Sequence, residues 1–249
     1  MSMRELVGTT AVVTGASRGF GRAIASALVG AGVRVVAVSR DGGALEELRG
    51  KLGEEFVPVT ADAADPVIAG RLIERYEPHT LILNAGANPL TRPIQLHTWD
   101  TFRTNWEVDV QQVFHWVREA LLRPLTPGSS VLSFSSGAAI GGSPLSGGYA
   151  GAKATVRFIS AYAAGESVRQ SLGIRFVSIL PKLTPATELG ESGVAAYAAL
   201  QEVDVPTFLR GLGPTLTPEQ VGEKLVELSG DPGLDNLAYL LTPAGFNPL

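Results

Sequence analysis

The sequence predicts an α/β fold: a doubly wound parallel sheet of about seven strands with helices on both faces, in a single domain. Three observations carry this. Short apolar runs rich in β-branched residues alternate with segments of helical period along all 249 residues, the signature of strand–helix–strand crossovers. A glycine-rich loop joins the first strand to the first helix. No Pro/Ser-rich linker, charge block or internal repeat divides the chain.

Composition removes several function classes. Hydrophobic residues make up 45% and charged residues 18%, the balance of a filled core rather than a disordered chain. There is no cysteine, hence no disulfide and no thiolate metal site. His79, His97 and His115 stand apart from other ligand-type residues, so no metal site is expected. A net charge of −4 argues against nucleic acid or an anionic membrane as partner. The opening MSMRELVGTT lacks a signal peptide's apolar core, and no run of about eighteen apolar residues predicts a membrane span. A cytoplasmic protein is expected.

Residues 10–14 (TAVVT) read as a buried strand, followed by GASRGFG at 15–21. A helix then carries Ile24, Ala27, Leu28 and Ala31 on one side and stops at Gly32. Gly15, Gly19 and Gly21 allow tight turning and close backbone approach, with Ser17, Arg18 and Phe20 between them. The helix N-terminus adds unpaired N–H groups and a positive dipole end, which makes a phosphate site. A second strand, 33–39, ends in Ser39-Arg40. A carboxylate there would accept from a ribose 2′-hydroxyl and repel a 2′-phosphate. Two guanidiniums (Arg18, Arg40) and the Ser39 hydroxyl suit a phosphate instead, so the cofactor is read as NADP rather than NAD. Asp41 is read as the cap of the next helix, whose Leu45, Leu48 and Leu52 form an apolar stripe.

The third strand is 56–60, with Asp62-Ala63 in the loop after it. Asp62 either hydrogen-bonds an adenine amino group or forms a turn. Asp65-Pro66 starts a helix buried through Ile68, Leu72 and Ile73. Strand 80–83 (TLIL) ends in Asn84-Ala85-Gly86, again past a strand's C-terminal end, where a doubly wound sheet binds ligands. Residues 99–122 form one long amphipathic helix or two joined ones, with Phe102, Trp106, Val110, Val113, Phe114 and Val117 as the apolar set.

Residues 130–153 (SVLSFSSGAAIGGSPLSGGYAGAK) hold the chemistry. A strand ends at Ser135-Ser136, and after a glycine-rich loop a helix opens at Tyr149 with Lys153 four residues on. Positions i and i+4 share a helical face. A lysine cation near a phenol favours the phenolate and lowers a pKa that is ordinarily near ~10. Ser136 stands where a hydroxyl can hydrogen-bond a developing alkoxide. The three make a proton-transfer site for a carbonyl/alcohol pair.

The helix from Tyr149 to Gln170 is rich in small residues that admit another helix closely, within the subunit or across a two-fold axis. Gly173 ends it, and strand 174–180 leads to Pro181. Residues 182–216 show no strong period beyond one short helical patch at 194–200, and read as an irregular substrate lid. Thr217-Pro218 caps a final helix carrying Val221, Leu225 and Leu228, and 237–241 is the last strand.

The order TGASRGFG at 14–21, LNAG at 83–86, Ser136 and Tyr149-x-x-x-Lys153 resembles the single-domain branch of the short-chain dehydrogenase/reductase family over nearly the whole chain. The resemblance implies a Rossmann-type domain spanning 1–249, with Tyr149 as general acid/base. It implies that Lys153 tunes the tyrosine and holds the nicotinamide ribose, that Ser136 polarises the carbonyl, and that Asn84 and Gly86 line the cofactor trough. Thr184 and Thr187 compete for the carboxamide contact. A homodimer or homotetramer pairing the 99–122 and 149–170 helices is implied too.

Two positions depart from the family's pattern. Asp109 stands where it carries an asparagine whose main chain holds a water in the relay to the lysine, and its charge is expected to shift that relay. Asn105, a turn earlier, is the alternative. Lys182 follows Pro181 where the family has glycine. The leading reading is an NADP-dependent oxidoreductase for a ketone/secondary alcohol of modest polarity. The second is an NADP-binding regulatory protein with an idle site.

Overall fold

The computed structural model describes residues 6–249; the leading part of MSMRELVGTT, read above for a targeting signal, lies outside the described residues. The strands are β1 (Thr10–Thr14), β2 (Arg34–Ser39), β3 (Phe56–Thr60), β4 (Thr80–Leu83), β5 (Ser130–Phe134), β6 (Arg175–Pro181), β7 (Ala238–Thr242) and β8 (Gly245–Pro248). They form one sheet in the order β3-β2-β1-β4-β5-β6-β7-β8. Pairing is parallel from β3 through β7. β8 turns back antiparallel on β7 with Thr242 opposite Gly245. This eighth strand exceeds the expected seven. Its four residues, GFNP, offer no alternation and end in proline, so nothing in their pattern announces a strand.

The helices are α1 (Gly19–Gly30), α2 (Gly42–Leu52), α3 (Pro66–Tyr76), α4 (Trp99–Asn105), α5 (Gln111–Leu122), α6 (Ala138–Gly141), α7 (Tyr149–Arg169), α8 (Glu188–Leu200), α9 (Val205–Leu212) and α10 (Pro218–Gly230). Successive strand residues point to opposite faces. Val13, Val35, Ile82 and Leu132 therefore pack with Ile24 and Leu28 of α1, Leu45 of α2 and Leu225 of α10. Val12, Val36, Leu81 and Val131 pack with Leu72 of α3, Trp116 of α5 and Val156 of α7. No helix among the described residues is long and apolar enough to cross a membrane.

Local signals account for most boundaries. The Asp41 carboxylate accepts from Ala44 N and caps α2, and Asp65 accepts from Val67 N ahead of Pro66 in α3. Thr217 and Gln220 form a capping box on α10. The 99–122 stretch is two helices joined by a widened π-turn at Trp106–Val110.

The segment 182–216 differs from expectation, since two helices replace an irregular lid with one patch at 194–200. Thr187 caps α8 by accepting from Gly190 N, and Asp204 caps α9 by accepting from Thr207 N with Pro206 in the first turn. Small residues in ELGESGVAAYAAL blur the apolar stripe of α8, so the caps carry the signal that periodicity does not.

Candidate active site

The strand order reverses between β1 and β4, which opens a crevice at the C-terminal ends of the strands. The loops there enclose a cavity of about 1160 Å³. Every residue singled out from the sequence as catalytic or cofactor-binding lines it except Gly21. Gly21 lies buried beneath, where a Cβ would meet Gly15 O at 2.1 Å. Gly15 has φ +67°, and a Cβ on it would stand 2.8 Å from Ala85 Cα. The β1 loop and the Asn84-Ala85-Gly86 loop thus touch through backbone, which larger residues would forbid.

Helix α1 begins after Arg18, and no side chain caps its N-terminus, so its first N–H groups face the cavity with the dipole's positive end. The Ser39 hydroxyl donates to Ser17 Oγ at 2.9 Å, joining the end of β2 to the glycine loop. Arg40 is exposed and carries no ion pair among the described residues. Arg18 is paired with Glu188 at the start of α8. Asp62 accepts from Ala64 N at 2.9 Å, its turn-forming role. The Ala63 carbonyl accepts from the buried Trp116 Nε1 at 3.0 Å.

The Lys153 ammonium donates to Phe134 O at 2.9 Å and lies 2.9 Å from Asp109 Oδ1. Its nitrogen is 5.7 Å from the centre of the Tyr149 ring. The Ser135 hydroxyl donates to Lys153 O at 2.7 Å and ties α7 to the end of β5. Ser136 Oγ accepts from Ala138 N at 3.2 Å at the cavity wall. The π-turn carries Asp109 into the interior, where Oδ2 accepts from Ala87 N at 2.9 Å and from Asn105 Nδ2 at 3.3 Å. Asn105 Nδ2 also donates to Ala87 O at 2.8 Å; it braces Asp109 and the loop after β4. A Cβ on Gly86 would meet Asp109 Oδ1 at 2.9 Å. Burial disfavours the Lys153 charge, but Asp109 and then Tyr149 outweigh it and hold the lysine's pKa above its ordinary 10.5.

One cluster escaped the sequence reading. The Thr14 hydroxyl accepts from Asn84 N and Ala85 N at 2.9 and 3.0 Å and donates to Gln112 Oε1 at 2.9 Å. Gln112 Nε2 donates to Ala85 O at 2.5 Å. Asn84 Nδ2 reaches Thr14 O at 3.1 Å. The signal was available in part: Asn105, Asp109 and Gln112 fall at i, i+4 and i+7 on one helical face, and all three are buried.

Thr184 is buried with its hydroxyl donating to Leu216 O at 2.6 Å, whereas Thr187 lies beside Gly19. Lys182 N donates to Leu241 O at 3.1 Å, and Lys182 is not among the residues of positive φ. The backbone here does not need the glycine it lacks. Leu145, Leu189, Phe208 and Leu212 supply apolar wall to the cavity. Tyr197 OH is 2.5 Å from Ser143 Oγ, and its ring stacks on Phe208 at 6.3 Å.

A family model described as short chain dehydrogenase matches residues 9–197. The chain is 29% identical over 244 residues to L-rhamnose 1-dehydrogenase (NAD(P)(+)) of a Sphingomonas species, covering 92% of each. L-sorbose reductase from Gluconobacter frateurii, solved with NADPH and L-sorbose, superposes with a TM-score of 0.80 at 22% identity, covering 95% of this chain and 96% of that one. A 3-ketoacyl-(acyl-carrier-protein) reductase from Brucella melitensis, solved with NADH, gives 0.78 at 22% identity, covering 95% and 97%. Fold, matched segment and relatives agree: the chain belongs to the short-chain dehydrogenase/reductase family and is an NAD(P)-dependent oxidoreductase.

Proposed function

We propose that the protein transfers hydride between NADP and a ketone/secondary alcohol, with Tyr149 as general acid/base. The observation that carries this is the buried Lys153 cation, held charged by Asp109 and set beside the Tyr149 ring in the wall of the glycine-lined cavity. The glycine cradle that a Cβ would fill and the uncapped α1 N-terminus fit a dinucleotide's pyrophosphate. When bound, the nicotinamide supplies hydride to the carbonyl carbon or takes it from the alcohol. Tyr149 gives its hydroxyl proton to the carbonyl oxygen in reduction and takes one in oxidation. The Lys153 ammonium stabilises the phenolate that remains. The Ser136 hydroxyl donates to the oxygen as negative charge develops. Asp109 acts on Lys153 as a positioning residue.

NADP is favoured by Arg18, Arg40 and the Ser17–Ser39 hydroxyl pair around the end of β2. The carboxylate that would oppose a 2′-phosphate, Asp41, is engaged as the α2 cap. Relatives differ in the cofactor they are named or solved with, so the preference is argued from the cavity's own residues. Its small and apolar wall fits a compact neutral carbonyl, with 182–216 covering it as a lid on a single domain. Phe158 and Tyr162 on α7 are 58% and 71% exposed, and Phe114 on α5 is exposed as well. Such aromatic surface suits pairing of these helices in a homodimer or homotetramer.

The test is NADPH oxidation with a panel of ketones by the wild type and Tyr149→Phe, beside NADPH binding read by nucleotide fluorescence. Binding by both with turnover by the wild type alone is expected. NADPH binding with no ketone reduced would turn the reading to the regulatory protein.

A further inference from the structure

We infer that Glu188 is a specificity-determining residue that lowers NADP affinity relative to NAD by competing with the 2′-phosphate for Arg18. This rests on the NADP reading above. Arg18 is the residue before α1, so its backbone belongs to the rigid glycine loop while its side chain, 64% exposed, reaches across to the Glu188 carboxylate, 60% exposed. The carboxylate has its own reason to stay there. It occupies the first turn of α8, where the dipole favours an anion, and Thr187 fixes that end by accepting from Gly190 N at 3.1 Å. Thr187 in turn lies against Gly19, so the start of α8 is seated on the loop that carries Arg18.

A 2′-phosphate arriving at Arg18 therefore meets a guanidinium already engaged. Either Glu188 is displaced, or carboxylate and phosphate crowd one cation and repel each other. NAD carries a hydroxyl at that position and makes no claim on Arg18, so its binding is spared. Arg40, without an ion pair among the described residues, is the cation open to the phosphate from the start. The structure thus divides the two arginines into one free and one guarded.

The experiment titrates NADPH and NADH into wild type, Glu188→Gln, Arg18→Ala and the double variant, following nucleotide fluorescence, with thermal melts to confirm folding. Removing an exposed ionic competitor should tighten NADPH about two- to fivefold and leave NADH unchanged. In the Arg18→Ala background the Glu188→Gln change should do nothing to either. Weaker NADPH binding by Glu188→Gln, an equal shift for both nucleotides, or no shift overturns the inference. Should Arg18→Ala alone leave the NADPH-to-NADH ratio untouched, the assignment of Arg18 to the 2′-phosphate is what fails.

Discussion

The Lys153 ammonium and the Asp109 carboxylate form an ion pair at 2.9 Å, with only 5% and 1% of the two residues exposed. Both oxygens of that carboxylate are engaged: Oδ1 by the Lys153 charge, and Oδ2 by two donors, Ala87 N and Asn105 Nδ2. An asparagine has a single acceptor oxygen and must leave one side of this arrangement without a partner.

Asp109→Asn is accordingly expected to lower stability by about 1–3 kcal/mol, measured by denaturant melts at neutral pH. The pH dependence has a definite sign. Lys153 is held above the 10.5 of an ordinary lysine, so its contribution is complete below that value and is lost as pH rises through the higher native pKa. The gap between wild type and variant should therefore narrow in alkali.

Tyr149→Phe removes the transferable proton and keeps the ring. Turnover should fall by about 10²–10⁴ with NADPH binding preserved. Ser136→Ala removes one donor at the developing alkoxide and should lower kcat by about 10²–10³. An unchanged kcat in the serine variant would show that its hydroxyl does not reach the reacting oxygen.

Gln112→Leu keeps the volume of α5's buried face and deletes both ends of a bridge. Thr14 loses the acceptor at 2.9 Å and the Ala85 carbonyl loses its donor. A cost of about 1–3 kcal/mol should appear as a fall in Tm of about 2–4 °C for each kcal/mol in a chain this long. Weaker NADPH binding should accompany it, because the bridge holds the loop after β4 against the end of β1.

Gly21→Ala sets a methyl 2.1 Å from Gly15 O, a contact that backbone must move to relieve. NADPH titration should show binding lost, while the far-ultraviolet spectrum keeps its helical shape. Retained affinity would mean that the loop's path is looser than its close approach to Asn84 implies.

The sequence revealed most where backbone chemistry is local. The glycine loop, the caps at Asp41, Asp65 and Thr217, and the i, i+4 relation of Tyr149 and Lys153 depend on neighbours in the chain. What it hid depends on distant partners. Nothing near Glu188 announces Arg18, 170 positions away, and nothing near Ala63 announces Trp116. The π-turn at 106–110 was invisible for another reason: no residue type or spacing marks a single widened turn inside a helical pattern. Lys182 looked disruptive by residue type, yet its backbone lies outside the left-handed region.

Helix α9 contains no buried residue, although Phe208 and Leu212 turn toward the cavity. Its hold on the molecule is thin beside that of α10, which the core grips through Val221, Leu225 and Leu228. The protein is accordingly expected to come apart at two thresholds, a lower one for this flap and a higher one for the sheet. Brief digestion should nick the chain near 201–213 first, and a carbonyl ligand that packs on the apolar wall should slow that cut by giving the flap something to rest on.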